Sequence, residues 1–356
     1  MRYHLTEETL STILKYDNVT ALDRQELESL VAAEPGVSDH KPEQAVQIDP
    51  RDGIKILYNA SRAARPHDNV VPPEAGREEE DLNAEANFVT RGKTTSVIDK
   101  APLSEGFTFI NLNLFPALFP FGAKRPVSGM HFLQWTSSYQ DRDWRNMPLD
   151  DCAVVMERAA ALGKTLLRDG TGFYTLFKNF GRLVGGSIAQ GHQQMGYSSV
   201  IHPKAEQLKG LAEKRGYTFA DYLLRDNPSS LMLKEFGKAV LLIPYCMRRP
   251  YAMMLVLKDT SKRHLHELSD EEIAAAAAGW KIGILIMRRV LGWSGKSTAY
   301  NIVAHTGPGC GIFFEFMPYT QETGGFEHLG LFICQSTPEI CAENIKSDCE
   351  DYLSIV

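Results

Sequence analysis

Residues 177–194 combine a glycine-rich turn with one histidine that lies between glutamines. The imidazole of His192, in its neutral form, has a nitrogen lone pair that can attack an electrophile. Gln194 lies two residues later, so in a strand it would share a face with His192 and could donate to a phosphoryl oxygen. The pattern predicts attack of a histidine on a phosphate. A histidine near glycines is also typical of a hydrogen-bonded structural residue.

The turn before this histidine has the composition of an anion-binding loop. An apolar run at 173–177 predicts a buried strand that leads into it. Gly181, Gly185 and Gly186 allow backbone with φ > 0 and bring N–H groups close to an anion, and Ser187 adds a hydroxyl donor. We therefore predict catalytic roles for Ser187 and Gln194 beside His192.

Composition excludes several functional classes. The chain has 356 residues, a formal charge of −6 and 44% hydrophobic residues, which fits a globular protein with a sizeable core. It has no long run of Lys or Arg, so we expect a small ligand and no nucleic acid partner. Six scattered cysteines without a C-x-x-C pair, and no secretory apolar segment at the start, predict a cytoplasmic protein with free thiols.

Apolar stretches of the chain are short. The longest, such as 239–245 and 253–257, fall far below the roughly 20 residues that a helical span requires. We therefore expect no membrane partner.

Two segments of the chain have the same predicted order of elements. Each has two strands, then a helix with acidic residues in its first turn, then two more strands. In the first segment the strands are predicted at 107–112, 129–136, 173–179 and the strand of His192, with the helix beginning at Pro148. In the second they are predicted at 239–246, 251–257, 300–305 and 312–317, with the helix capped by Ser269. This similarity predicts a duplicated α+β unit in which Phe313 takes the place of His192.

Five motifs in the right order resemble the galactose-1-phosphate uridylyltransferases and their nucleotide-sugar phosphorylase relatives, in the histidine triad superfamily. The motifs are the opening segment 46–68 with R-x-x-R-P at 62–66, N-x-F-P-A-L at 113–118, Y-N-I-V-A-H-T-G-P at 300–308, F-E-F-M-P at 314–318 and G-G-F-E at 324–327. The resemblance covers nearly everything from residue 46 onward. It implies antiparallel sheets with packed helices, in duplicated histidine-triad-like units.

The resulting domain organisation has four parts. We predict an N-terminal helical appendage at 1–45, a first histidine-triad-like unit with the nucleophile at 46–204, a helical connector at 205–235, and a second unit at 236–356.

The resemblance implies a two-step nucleotidyl transfer that proceeds through a covalent intermediate. His192 would attack the α-phosphorus of a nucleotide sugar, and the nucleotidyl group would pass to a sugar 1-phosphate or to inorganic phosphate. The residues that the resemblance implies for substrate binding are Arg62, Arg65, Asn113, Asn179, Gly185, Gly186, Gln190 and Glu327.

Departures from the family pattern concern metals and the nucleotide. Gln190 stands where the family has the first histidine of H-x-H-x-Q, and 70–75 contains no cysteine, so the structural zinc is expected to be absent. Gly311 and Phe313 replace the H-x-H of the second half, which removes a second metal site and leaves His305 as a packed or hydrogen-bonded residue. Leu114 replaces an acidic residue of the uridylyltransferases. We therefore predict no metal and no cofactor.

Three functions remain open on the sequence. The first is nucleotidyl transfer between a nucleotide sugar and a sugar 1-phosphate, in carbohydrate metabolism. The second is a phosphorylase or hydrolase that splits a nucleotide sugar or a dinucleoside polyphosphate with the same His192. The third is nucleotide binding without turnover. The resemblance also implies a homodimer whose site is roofed by the partner's chain, with Glu327 hydrogen-bonding a sugar hydroxyl.

Overall fold

The structure is a computed structural model, and it describes residues 4–43, 46–48, 55–57, 61, 94–121 and 127–355. The first two described strands form a small antiparallel pair, and ten further strands form one large sheet. The strands are β1 Val46–Ile48, β2 Lys55–Leu57, β3 Val97–Pro102, β4 Phe107–Leu112, β5 Gly129–Trp135, β6 Phe173–Phe180, β7 His192–Ser198, β8 Met232–Glu235, β9 Ala239–Leu242, β10 Met253–Leu257, β11 Tyr300–His305 and β12 Phe313–Pro318.

The large sheet has a symmetric strand order, β3-β4-β5-β7-β6-β11-β12-β10-β9-β8. Each half contains three strands, a long helix and two more strands, and the halves meet where β6 pairs antiparallel with β11. In this arrangement β7 corresponds to β12. His192 and Phe313 are the first residues of these two strands. The predicted duplicated α+β fold is therefore confirmed.

Ten described helices surround the sheet. They are α1 Glu7–Ile13, α2 Arg24–Ala33, α3 Pro35–Asp39, α4 Leu149–Leu166, α5 Pro203–Arg215, α6 Phe219–Asp226, α7 Asp270–Trp293, α8 Gly325–His328, α9 Pro338–Asp348 and α10 Glu350–Leu353. The predicted cap of α7 is present, because Ser269 and Glu272 form a reciprocal capping box. None of the described helices is long and apolar enough to cross a bilayer.

One face of the sheet packs against α4 and α7. Met195 and Tyr197 of β7 belong to the same core cluster as Val155 of α4 and Ile284 of α7. Because successive strand residues point to opposite faces, the alternate residues of β7, from His192 onward, point to the other face of the sheet. The fold therefore presents His192 on the side away from the two long helices.

The N-terminal segment is packed into the protein at several points. Leu27 and Val31 of α2 join the main core, and Leu10 of α1 joins a separate cluster with Phe109 and Trp135 on the face of His192. Nothing in the pattern of residues 1–45 indicated this burial. In the predicted connector, α5 and α6 form as expected, and its last four residues are strand β8.

Candidate active site around His192

His192 begins strand β7 and is 4% exposed. Its Nδ1 lies 2.8 Å from the main-chain oxygen of Gln190. A carbonyl oxygen can only accept, so Nδ1 carries the proton, and in the neutral ring the lone pair is on Nε2. The indole of Trp135, paired with His192 across β5 and β7, packs 5.5 Å from the imidazole between ring centroids. The local structure thus fixes both the orientation and the tautomer of His192.

Gln194 follows on the same face of β7, and its amide is oriented by His131. The N–H of Ala117 donates to His131 Nδ1 over 3.0 Å, so the neutral ring has its proton on Nε2. His131 Nε2 then donates to Gln194 Oε1 over 3.0 Å. The Gln194 amide nitrogen has no hydrogen-bond partner among the described residues. The amide nitrogen of Gln194 is therefore available as a donor on the face of β7 that carries His192.

The loop between β6 and β7 closes tightly on itself. Gly181 and Gly185 have φ of 88° and 86°, and the N–H of Gly186 donates to Gly181 O over 3.0 Å. The expectation of φ > 0 at Gly186 is wrong; this residue must be glycine because a Cβ there would lie 2.7 Å from Gly181 N. Ser187 is buried at the end of this turn, in the stretch that leads into His192.

Asn179 holds the same loop from the end of β6. Its side-chain oxygen accepts a hydrogen bond of 2.8 Å from Asn301 of β11, and Asn301 also donates to Val184 O over 3.1 Å. A residue of the second half therefore fixes the loop of the first half. Asn179 therefore lies beside the glycine-rich loop, with its side-chain oxygen directed toward Asn301.

A buried ion pair lies beneath the start of β7. The Lys178 ammonium is 2.9 Å and 3.0 Å from the two carboxylate oxygens of Asp143, and it donates to His192 O over 3.0 Å. A Cβ on Gly191 would lie 2.6 Å from the Asp143 Cβ, so the carboxylate can sit there only against a glycine. The main chain of His192 is thus hydrogen-bonded to a member of a buried charged pair.

Side chains around Gln190 do not fit a zinc site. Gln190 Nε2 donates to Ser137 O over 3.2 Å, and the nearby Asp143 carboxylate already binds the Lys178 ammonium. An amide and a neutralised carboxylate do not make the set of thiolate and imidazole ligands that Zn²⁺ prefers. Within the described ranges, no three His, Cys, Asp or Glu side chains lie together as a metal-binding group.

The other predicted binding residues are distributed unevenly. Asn113 is buried beside His131 and accepts the N–H of Phe115 over 2.9 Å, so it belongs to the shell that holds Gln194. Glu327 uses both carboxylate oxygens on its own loop, from the N–H groups of Gly324 and Ile333, and neither bond reaches the strand of His192. Arg62 and Arg65 lie outside the described residues.

His305 in the second half is hydrogen-bonded, as the sequence predicted. Its Nε2 lies 2.9 Å from Glu315 Oε2, and its ring stacks on Phe313 with centroids 4.4 Å apart. Burial alone would raise the pKa of Glu315, but the hydrogen bond from His305 and the charges of Lys204 and Arg248 outweigh it and hold the pKa below its usual value.

The buried thiols of the core are not candidate nucleophiles. All six cysteines are free, and burial raises the pKa of Cys152 to about 12 and that of Cys310 to about 11. Such thiols stay protonated near neutral pH and are poor nucleophiles.

Sequence reasoning missed four residues of this site: His131, Lys178, Asp143 and Asn301. His131 and Lys178 both lie in predicted strands, and a polar residue in an otherwise apolar strand was the available signal. Asp143 and Asn301 gave no signal, because their partners are distant in sequence.

Comparison with known proteins identifies the fold. No family model and no curated protein matches the sequence. Among solved structures, a uridylyltransferase is similar with a TM-score of 0.66 and 18% identity, over 87% of this chain and 99% of that chain. The ADP-glucose phosphorylase of Arabidopsis thaliana with bound ADP-glucose is similar with a TM-score of 0.62 and 18% identity, over 89% of this chain and 100% of that chain. A GalT-like protein of the same plant gives a TM-score of 0.62 at 17% identity, over 88% and 99%. The chain therefore has the fold of the galactose-1-phosphate uridylyltransferases, and the resemblance stated from the sequence is confirmed at the level of the fold.

Proposed function

We propose that this protein is a nucleotidyltransferase that moves a nucleoside monophosphate between a nucleotide sugar and a sugar 1-phosphate. The observation that carries the proposal is the bond from His192 Nδ1 to Gln190 O, because it leaves the lone pair of the neutral ring on Nε2. A histidine held in this tautomer is prepared for nucleophilic attack without a separate base.

The proposed reaction has two displacements at the α-phosphorus. In the first, His192 Nε2 forms a bond to phosphorus as the bond to the bridging oxygen breaks, and the sugar 1-phosphate leaves. In the second, a phosphate oxygen of the acceptor attacks, the N–P bond breaks, and its electron pair returns to Nε2. The amide of Gln194 and the hydroxyl of Ser187 would donate to the oxygens on which negative charge grows.

A second candidate is a phosphorylase, in which inorganic phosphate accepts the nucleotidyl group. The likeness to an ADP-glucose phosphorylase supports it about as well as the likeness to a uridylyltransferase supports transfer to a sugar phosphate, since both are 18% identical. The first displacement is the same in both reactions, so the acceptor alone separates them.

The experiment is an incubation with a panel of nucleotide sugars, followed by intact-mass analysis. A gain of one nucleoside monophosphate on the wild-type chain, absent from His192→Ala, is expected, and the added mass identifies the base. Turnover of the adduct by a sugar 1-phosphate or by inorganic phosphate then selects the acceptor. Full turnover by His192→Ala would overturn the covalent mechanism, and binding without any adduct would favour a protein that binds nucleotides without turnover.

The active unit is proposed to be a cytoplasmic homodimer without a metal cofactor. The homodimer is supported by the segment after Gly325. Hydrogen bonds of Glu327 hold the backbone of this segment in place. Its large apolar side chains are nevertheless 44% to 84% exposed: Phe326, Leu329, Leu331 and Phe332. Large apolar side chains on an ordered loop are typical of a surface that another chain covers.

A further inference from the structure

The ion pair beneath His192 is almost completely removed from solvent. The side chain of Lys178 is 1% exposed and that of Asp143 is 8% exposed. Each of the three ammonium N–H groups has an acceptor, since Lys178 contacts both oxygens of Asp143 and the main-chain oxygen of His192. The geometry is complete and specific.

Stability does not account for a pair of this kind. Removing two charges from water is costly, and apolar side chains of similar size often stabilise a protein as well or better. The surrounding core supplies such residues in quantity, including Leu176 on the same face of β6. A functional role therefore explains the buried Lys178–Asp143 pair better than a contribution to stability does.

The Lys178–Asp143 ion pair lies where the regular ladder between β6 and β7 stops. The ladder between β6 and β7 runs from Phe173–Ser198 to Phe177–Gln194 and ends two residues short of His192. Residues 177–180 of β6 pair with β11 on the opposite edge of the strand, and on the β7 side the Lys178 ammonium supplies the hydrogen bond to His192 O. A side chain thus replaces the missing main-chain contact at the nucleophile.

Asp143 restrains the neighbouring residue, Gly191, by close packing. It packs against Gly191 so closely that no Cβ fits there, while the N–H of Thr136 donates to Gly191 O over 3.1 Å. The main chain at 191 and 192 is therefore held from both sides, and Gln190 O, which accepts the hydrogen bond from His192 Nδ1, is the preceding carbonyl in the chain.

We infer that Lys178, held by Asp143, is a positioning residue that fixes the backbone of His192 so that Nδ1 stays bonded to Gln190 O and Nε2 keeps the lone pair. The inference deepens the proposed function and rests on it for the kinetic effect. Loss of the ammonium releases the His192 carbonyl, and a displacement of about 1 Å at a reacting group costs about 100-fold in rate.

The experiment compares Lys178→Met with the double variant Lys178→Met/Asp143→Asn. The single variant leaves an unpaired buried carboxylate and is expected to lose stability, whereas the double variant removes both charges and is expected to recover most of the melting temperature. In the double variant, formation of the His192 adduct in a single turnover is expected to be about 100-fold slower, with the KM for the nucleotide sugar changed by less than about threefold.

Lys281→Met is the matched control, because Lys281 also donates to a main-chain oxygen, that of Met147. It removes a lysine-to-carbonyl bond that does not involve the nucleophile and should leave the rate unchanged. A double variant that folds and forms the adduct at the wild-type rate would show that the pair has a structural role alone and would overturn the inference.

Nitrogen NMR of the His192 ring tests the placement without any substrate. The wild type is expected to show one tautomer with the proton on Nδ1, and the folded double variant a mixture of both. An unchanged tautomer in that variant overturns the inference. Should the wild type form no adduct with any nucleotide sugar, the proposed function fails, and the tautomer still decides the role of Lys178.

Discussion

His131 Nε2 donates to Gln194 Oε1 over 3.0 Å, and the direction of this bond is set from behind by the N–H of Ala117. A neutral imidazole that accepts at one nitrogen must donate at the other. Gln194 therefore has its carbonyl engaged and its amide N–H groups available. This orientation is the one that stabilisation of an oxyanion requires.

We expect Gln194→Ala to raise the activation barrier for formation of the His192 adduct by about 2.7 to 4 kcal/mol. This increase is typical for the loss of one such donor. His131→Phe should slow it less, because Gln194 remains but can rotate. The double variant should be no slower than Gln194→Ala, since His131 acts through that amide. Single-turnover rates from intact mass measure all three.

Additive effects of His131→Phe and Gln194→Ala would contradict this account and give His131 a separate role.

Gln194→Glu is a more stringent test of the donor role of Gln194. A carboxylate of nearly the same size cannot donate and adds negative charge, so it should be slower than Gln194→Ala.

Glu315→Gln should change how the free energy of unfolding depends on pH in the acidic range. The pKa of Glu315 is held below its usual value of 4.5. A lowered folded-state pKa adds stability that is fully present above about pH 4.5 and is lost as the pH falls through the folded value. The variant should be less stable by about 1.5 to 3 kcal/mol at pH 6, the range for hydrogen bonds to charged groups.

Urea unfolding from pH 7 to pH 3 measures this difference. The gap between wild type and Glu315→Gln should be largest above pH 5 and should shrink below pH 4.5. Glu322→Gln is the control, because Glu322 is 75% exposed and pairs with Lys296 at 3.7 Å. A gap that stays constant down to pH 3 would show that Glu315 is not the titrating group.

The protein is expected to carry no structural zinc or iron. Gln190, Gly311 and Phe313 cannot supply the imidazole nitrogens of a tetrahedral site. Elemental analysis of protein purified without chelator measures the content, and a chelator should leave the melting temperature unchanged. About one zinc or iron atom per chain would mean that other ligands form a site.

The proposed homodimer leads to a specific prediction for mixed subunits. If Glu327 acts in the partner's site, mixtures of His192→Ala and Glu327→Ala chains should regain some activity through hybrid sites. Leu329→Asp should shift the protein toward monomers in light scattering, because Leu329 is 84% exposed and its change costs the isolated fold little.

Ile340→Asp is the matched control for the dimer, since Ile340 is 51% exposed on α9, outside the segment that follows Gly325. A wild-type monomer with full turnover at micromolar concentration would end the shared-site hypothesis. Glu327 would then act in its own chain, where it holds the loop between Gly324 and Ile333.

Strands and helices of this fold were accessible to sequence reasoning because they depend on local periodicity. β4 and β11 were predicted to the residue, and the capping box at Ser269 marked the start of α7. The last strand was predicted at 312–317, one residue too early. The observed strand, Phe313–Pro318, has its bounds fixed by its ladder with β11.

Contacts between distant residues were not accessible in the same way. Lys178 and Asp143 are 35 residues apart, and their pairing depends on how β6 and the segment before α4 meet under β7. No local pattern encodes such a meeting. The same holds for Leu10 of α1, whose burial beside Trp135 follows from the assembled sheet.

Asn301, which lies in the second half, holds Asn179 and Val184 of the first half, and β6 and β11 join the halves in one ladder. The two halves are therefore joined by both backbone and side-chain hydrogen bonds. Splitting the gene between them would expose the edges of β6 and β11 and release the loop before Ser187. The two halves thus depend on each other for contacts, although His192 at the start of β7 has no histidine counterpart at the start of β12, where Phe313 lies.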